Sequence, residues 1–397
     1  MRHRWGKSLL IIASGGVHEP QQALDLRAAG ADLVQVDSGL VYTGPGLPKR
    51  INDAFLCQVG RSVSPSAVPA RLPEMTWFWT TLMGGGMLFG SLLALVIAAT
   101  RIVLPYDEAF VGTTRAGLSA LNPWLLAFMA HDRVTLAGTM VAIGVMYVGL
   151  SVFGIRHGLH WARQAVFISA FTGFASFFLF LGFGYLDTFH AFVTGAMLQL
   201  LLLGVHARLA SYTPVARPDP ARRLGVAMES MGAIAADHPW ICSAHGRHSD
   251  FGDRHYAGVR ARRFGIHADN SRGVGFGQPA VSTLIAHDRA TFGGMLLASG
   301  WVFLLPTLWG FRRGSAWLWW TFLIAGLAAY AAAIGVHFSV GYMSRLGAFV
   351  SGIRRLALFL LGLILSYSLS EGLTIVRCIA EKEPLLTNLR MTEKEVN

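Results

Sequence analysis

Seven stretches of this chain run about 18–24 residues with almost no charge: Trp77–Thr100, Val134–Ile155, Ala165–Tyr185, Phe189–Leu209, Ala290–Phe311, Ala316–His337 and Leu356–Leu373. A helix of about 20 apolar residues crosses the hydrocarbon core of a bilayer. Each stretch is therefore predicted to be a transmembrane helix, giving a mainly α, polytopic protein. Arginines punctuate the ends: Arg156 and Arg163, Arg312 and Arg313, Arg354 and Arg355.

Residues 1–72 follow a different pattern. Leu9-Leu10-Ile11-Ile12-Ala13 is an apolar run of the kind buried in parallel sheets. Ser14-Gly15-Gly16 turns the chain, Pro20 opens a helix over Ala23–Ala29, and Gly30 ends it. Leu33–Val36 is a second strand, followed by Asp37-Ser38-Gly39 and a last helix ending near Leu56. The order is β-α-β-α. A strand leading into Gly-Gly, beside a strand with a small polar turn, is one way of presenting backbone N–H groups to a phosphate. It is equally the pattern of any α/β fragment.

The apolar part repeats internally. Ala130-His131-Asp132-Arg133-Val134-Thr135-Leu136-Ala137-Gly138 matches Ala286-His287-Asp288-Arg289-Ala290-Thr291-Phe292-Gly293-Gly294, an offset of 156 (131 to 287). At the same offset Trp161 meets Trp317. One residue later in register, Ala191-Phe192-Val193-Thr194-Gly195 meets Ala348-Phe349-Val350-Ser351-Gly352. This marks a membrane unit over 77–211 and a second over 281–375, before a polar tail at 376–397.

Between the units lies a polar island, residues 213–280, with His238, His245, His248, His255 and His267. The counterpart of Trp77–Thr100 and of Val103–Phe110 belongs there. Read one nucleotide out of frame, with allowed codons, the island encodes an apolar end followed by VFVPEDLEF and NP. These fall in register with Val103–Phe110 and Asn122-Pro123. The island is expected to be a shifted reading frame, without packed structure and without a metal site. An odd number of spans then puts the second unit in the membrane inverted, or misassembled, relative to the first.

Composition fits a membrane protein. The 397 residues are 53% hydrophobic and 14% charged, against about 25% charged in ordinary soluble domains. The net charge of +11 reflects scarce acids, 22 against 33 Lys and Arg. So sparse a charge excludes a nucleic-acid partner and names the lipid bilayer instead. Basic loops place the N-terminus in the cytoplasm, in the inner membrane of a bacterium. Three cysteines without paired spacing exclude a disulfide scaffold and a Cys-based zinc site.

Two kinds of chemistry stand out in the membrane part. The duplicated His131-Asp132-Arg133 and His287-Asp288-Arg289 form a polar constellation at the membrane boundary. It could serve a ligand, a proton or a quinone headgroup. The favoured reading is structural: Asp132 and Asp288 cap helix N-termini while the arginines anchor at the interface. His157, His160, His190, His206 and His337 lie near span ends and could ligate a b-type haem in pairs. Asp187 with His190 could relay a proton. Trp161, Trp317, Trp319 and Trp320 fit an aromatic belt.

The stretch IIASGGVHEPQQALDLRAAGADLVQVDSGLVYTGPGLPKRIN resembles the C-terminal end of dihydroorotate dehydrogenase, most closely the membrane-associated, quinone-linked class. The resemblance covers about residues 8–57 and implies the last two βα units of a TIM barrel. It implies that Gly15, Gly16, Asp37 and Ser38 hold the phosphate of FMN, with quinone as electron acceptor and pyrimidine biosynthesis as the setting. The family usually carries Tyr where Asp37 stands. Its catalytic base, flavin-contacting lysine and orotate-binding asparagines lie upstream of this stretch. The chain is thus expected to be catalytically incomplete and to bind no FMN by itself. The membrane repeat is similar to an uncharacterised bacterial domain sometimes joined to dihydroorotate dehydrogenase. The alternative is a transporter or sensor-like binding module with a vestigial dehydrogenase tail.

Overall fold

A computed structural model describes residues 8–61, 71–181, 188–209, 279–312, 315–340 and 346–370. The expectations for 213–278, for Asp187 and for the 376–397 tail lie outside these residues.

The N-terminal part is β1 (Ile12–Ser14), α1 (Pro20–Ala28), β2 (Leu33–Gln35), α2 (Ser38–Thr43) and α3 (Leu47–Arg61). β1 and β2 pair in parallel, with Ile12 opposite Leu33 and Ser14 opposite Gln35. The predicted β-α-β-α order is present, with strands shorter than the apolar runs. Gly15, Gly16 and Gly30 all have positive φ, as the tight turns out of β1 and α1 require. The two βα units bury a small core of Val17, Ala23, Leu47 and Ile51, with Leu26, Val34, Val36 and Phe55 packed around it.

The rest is helical: α4 (Thr76–Thr100), α5 (Pro105–Val111), α6 (Arg115–Leu121), α7 (Leu125–Gly149), α8 (His160–Leu181), α9 (Thr188–His206), α10 (Pro279–Gly310), α11 (Ala316–Ser339) and α12 (Leu346–Ser370). Among the described residues, four stretches are helical, long and apolar enough to cross a membrane: Thr76–Thr100, Leu125–His157, Ala280–Gly310 and Ala316–Ser339. They cover four of the seven predicted spans. The other three fall on α8, α9 and α12, two of which lead into residues outside the description.

The two repeats interlock. α7 of the first packs on α11 of the second, and α10 of the second packs on α8 of the first. Small residues permit the close approach. A Cβ on Gly138 would stand 2.2 Å from Ala332 Cβ, and one on Gly294 would stand 1.9 Å from Ser176 Oγ. Trp161 and its repeat counterpart Trp317 stack, ring centroids 6.3 Å apart and planes 17° off parallel. Trp161 and Trp319 are buried rather than forming a belt; the indole N–H of Trp319 donates to the Leu363 carbonyl at 2.7 Å.

At the centre Tyr147 is fully enclosed. Its hydroxyl lies 2.9 Å from Ser169 Oγ, whose own hydroxyl donates to the Ala298 carbonyl at 2.7 Å. This chain ties α7, α8 and α10 together. Replacing Tyr147 with Phe is expected to cost about 1 kcal/mol of bundle stability, the usual net value of such a bond. Unfolding in mixed detergent micelles measures it.

The packing corrects two expectations. α7 and α10 start at the same end of the bundle, because their His-Asp-Arg motifs meet. The second unit is therefore parallel to the first in this fold, not inverted. And the motifs are not caps: α7 starts at Leu125 and α10 at Pro279, so His131 and His287 lie more than a turn inside their helices.

Candidate functional site

The duplicated motif builds a charged cluster at the end of the bundle where α4 finishes. Arg133 Nε donates to Asp288 Oδ2 at 3.0 Å, and Arg133 Nη1 to Asp107 Oδ2 at 3.0 Å. Nη1 also donates to the Ile102 carbonyl. The reciprocal pair, Arg289 Nε to Asp132 Oδ2, is looser at 3.7 Å. Arg289 also lies over the Phe128 ring, 4.9 Å from its centroid. The two repeats therefore exchange ion pairs, each arginine reaching the aspartate of the other motif. Each aspartate also faces its own histidine, at 3.1 Å for His131–Asp132 and 3.5 Å for His287–Asp288. His337 stands edge-on to His131 at 4.9 Å, and His190 lies 6.1 Å from His287.

The cluster's asymmetry is informative. Among the described residues Arg133 has two carboxylates and its side chain is 16% exposed, whereas Arg289 has one and is 45% exposed. The additional partner, Asp107, comes from the short helix α5, where it also accepts from the Leu104 N–H as a cap. Sequence reasoning passed over Asp107, although its place in the Val103–Phe110 match marked it. Ile102 was also missed. It holds φ +64, a conformation β-branched residues avoid, and its carbonyl faces Arg133.

The histidines weighed as haem ligands divide between opposite ends. His157, His160 and His206 lie with the start of α4; His190 and His337 lie with the charged cluster. Among the described residues no group of three His, Cys, Asp or Glu side chains could hold a metal ion.

The resemblance-derived positions sit at the rim of the small sheet. Gly15 and Gly16 follow β1 in left-handed backbone, and among the described residues nothing lies within 4 Å of where a Cβ would stand on either. Asp37 and Ser38 follow the paired strand β2, Asp37 as the N-cap residue of α2. A glycine turn of this kind leaves its backbone N–H groups accessible, whereas the Asp37 carboxylate beside it does not favour an anion.

A third group joins the two parts of the molecule. α3 lies against α8 and the end of α10. Gly46 approaches so closely that a Cβ there would be 2.5 Å from the Leu308 carbonyl oxygen and 2.9 Å from Trp309 Cα. Arg50 is 7% exposed and bridges the Thr43 carbonyl at 2.8 Å and the Trp309 carbonyl at 3.3 Å. Lys49 pairs with Asp53 and lies 5.6 Å over the Trp309 ring. Asp53 reaches His160 at 3.7 Å. Burial holds the His160 imidazole below its ordinary pKa, against the pull of Asp53. Arg50, Asp53, His160, Trp161 and Arg312 line a small cleft at this junction.

Three comparisons bear on these groups. The family model for dihydroorotate dehydrogenase matches residues 1–57. Among curated proteins, the dihydroorotate dehydrogenase (quinone) of Chelativorans sp. is 55% identical over 51 residues, that of Allorhizobium ampelinum 59%, and that of Chloroflexus aurantiacus 53%; each alignment covers 13% of this chain and 14% of the relative. The chain thus spans about one seventh of the length of the relatives it matches. No solved structure matches. The N-terminal 57 residues are similar to quinone-type dihydroorotate dehydrogenase.

Proposed function

We propose that this chain is a multi-pass inner-membrane protein that carries the C-terminal piece of a quinone-linked dihydroorotate dehydrogenase and holds that piece against its helical bundle. The N-terminus faces the cytoplasm. The observation that carries this reading is the docking of α3. The matched segment ends in the very helix that Gly46, Arg50 and Asp53 fasten to α8 and α10. A quinone-linked enzyme draws its oxidant from the bilayer, and such a clamp would keep it there. In this reading the helical bundle is the platform on which the matched segment is held. Purified in lipid, it is expected to oxidise no dihydroorotate with added FMN and quinone, and to retain no stoichiometric FMN. Turnover or stoichiometric flavin would refute this.

The His-Asp-Arg cluster takes a structural role in this account. Two carboxylates and a carbonyl occupy Arg133, so its charge pins the repeats together. The frame-shift reading gains support from the ends of the described segments. Ala207 accepts from the Thr76 hydroxyl at the start of α4, whereas Val281 and Leu284 pack with Val103 and Leu118 past its end. Residues 207 and 281 thus lie at opposite ends of the bundle, as they would on either side of a fourth span in the second unit. At offset 156 the counterpart of Asp107 is Arg263 as written, but an aspartate in the shifted frame. Among the described residues Arg289 has one carboxylate partner, and the shifted frame, with allowed codons, would supply a second.

A further inference from the structure

The end of the bundle where α3 docks is rich in cations. Arg156 lies 5.0 Å over the Trp77 ring, and Arg163 Nη2 donates to the Val205 carbonyl at 2.8 Å. Arg50 and Arg312 line the cleft between α3, α8 and α10. A turn holds Arg312 in place: its N–H donates to Ser315 Oγ at 3.0 Å, and the Ser315 N–H donates to the Arg312 carbonyl at 3.1 Å. α8 begins on the cleft wall at His160, so the positive end of a 22-residue helix adds to the field.

One acid in this cleft adds selectivity. Asp53 is 9% exposed. Its Oδ1 faces Lys49 and lies 3.7 Å from His160 Nδ1. Among the described residues its Oδ2 is buried without a hydrogen-bond partner, and so is His160 Nδ1. A buried carboxylate oxygen without a donor is costly, which favours a ligand that brings one. Lys49 offsets the charge of Asp53, and the two arginines remain to attract an anion. We infer that the cleft binds a phosphate group that carries a hydroxyl, with Arg50 and Arg312 facing the phosphate and Asp53 Oδ2 accepting from the hydroxyl. Phosphatidylglycerol and inorganic phosphate share that chemistry. Basic pockets between helices at the cytoplasmic end are where lipid headgroups are held. This rests on the docked α3 of the platform reading and adds a ligand to it.

Native mass spectrometry of the full-length chain in detergent, with short-chain lipids added, tests this. Phosphatidylglycerol is expected to form a saturable one-to-one complex. Phosphatidylmethanol has the same charge and no hydroxyl, and should bind about tenfold more weakly. Arg312→Gln should weaken phosphatidylglycerol binding by at least tenfold, the change that about 1.4 kcal/mol produces. Arg156→Gln removes an exposed cation at the same end but outside the cleft, and should leave binding unchanged. Asp53→Ala should bring the two lipids to equal affinity. Inorganic phosphate separates the two sources, and either result supports the site: displacement of the lipid marks a free anion as the ligand, and no displacement marks the lipid. The inference is overturned by any of three results: no complex with phosphatidylglycerol or phosphate, equal binding of the two lipids by the native chain, or no effect of Arg312→Gln. A thiol cross-link between positions 53 and 160, formed in a separate two-cysteine chain, reports docking. With the link present and no complex, the ligand site alone fails; without the link, the docking fails with it.

Discussion

Arg133→Met is expected to be the most damaging single substitution in the bundle, costing about 3 kcal/mol or more. Asp107 and Asp288 are 3% and 14% exposed at the side chain and share this one guanidinium. Removing it takes the guanidinium from two buried carboxylates at once, and breaking a buried pair in this way typically costs about 3–5 kcal/mol. Polar pairs between membrane helices usually measure less, about 0.6 kcal/mol on average, because the separated helices find other partners. Two considerations put this site above that average. One arginine serves two carboxylates from different helices, and it also bonds the carbonyl of Ile102 in its unfavourable backbone conformation. Arg289→Met is the internal control. Its partner lies 3.7 Å away and its side chain is 45% exposed, so solvent already screens the pair and the cost should stay below about 1 kcal/mol. Unfolding of both variants in mixed micelles, beside the Arg133→Met, Asp107→Asn, Asp288→Asn triple variant, checks the account. The triple variant removes the orphaned charges and should recover part of the loss. Equal costs at Arg133 and Arg289 would contradict it.

Gly46→Leu is expected to separate the N-terminal segment from the bundle while leaving both folded. The backbone at Gly46 is not in the left-handed region, so conformation does not demand glycine there. Space does. A Cβ would fall within 3 Å of the Leu308 carbonyl and Trp309 Cα, both backbone atoms of a helix that cannot yield locally. Overfilling such a contact costs about 1–3 kcal/mol, enough to shift docking by a factor of roughly 5–30. The cores on either side do not include Gly46, so helix content and membrane insertion should not change.

Much of this molecule was legible in its sequence, for identifiable reasons. Long uncharged runs give helices because a bilayer-length apolar segment must satisfy its own backbone, and the Gly15-Gly16 turn is specified by residue type alone. The repeat showed which residues were equivalent. It did not show that equivalent residues would meet, as Trp161 meets Trp317 and as each motif's arginine meets the other's aspartate. Periodicity describes one helix at a time, whereas those contacts depend on α7 packing against α11 and α8 against α10. The same limit misplaced Asp132 and Asp288 as caps: the helices start earlier than the apolar runs, because Leu125 and Val281 already pack on the α5–α6 corner. Nothing local announced the docking of α3. Arg50 and Asp53 gain their role only from Trp309 and His160, which stand opposite them and lie far away in sequence.

The docking of the dehydrogenase-like segment on the bundle is the claim on which the functional reading depends. The direct measurement is an intramolecular cross-link in native membranes. Asp53→Cys and His160→Cys are introduced together after Cys57, Cys242 and Cys378 are replaced by serine, and a short bifunctional thiol reagent is added. The side chains now at these positions approach to 3.7 Å. The account predicts an efficient link in the chain with Gly46 intact and loss of most of it in Gly46→Leu. A chain that inserts in the membrane yet gives no link with Gly46 intact, or gives the same link with leucine there, would contradict it.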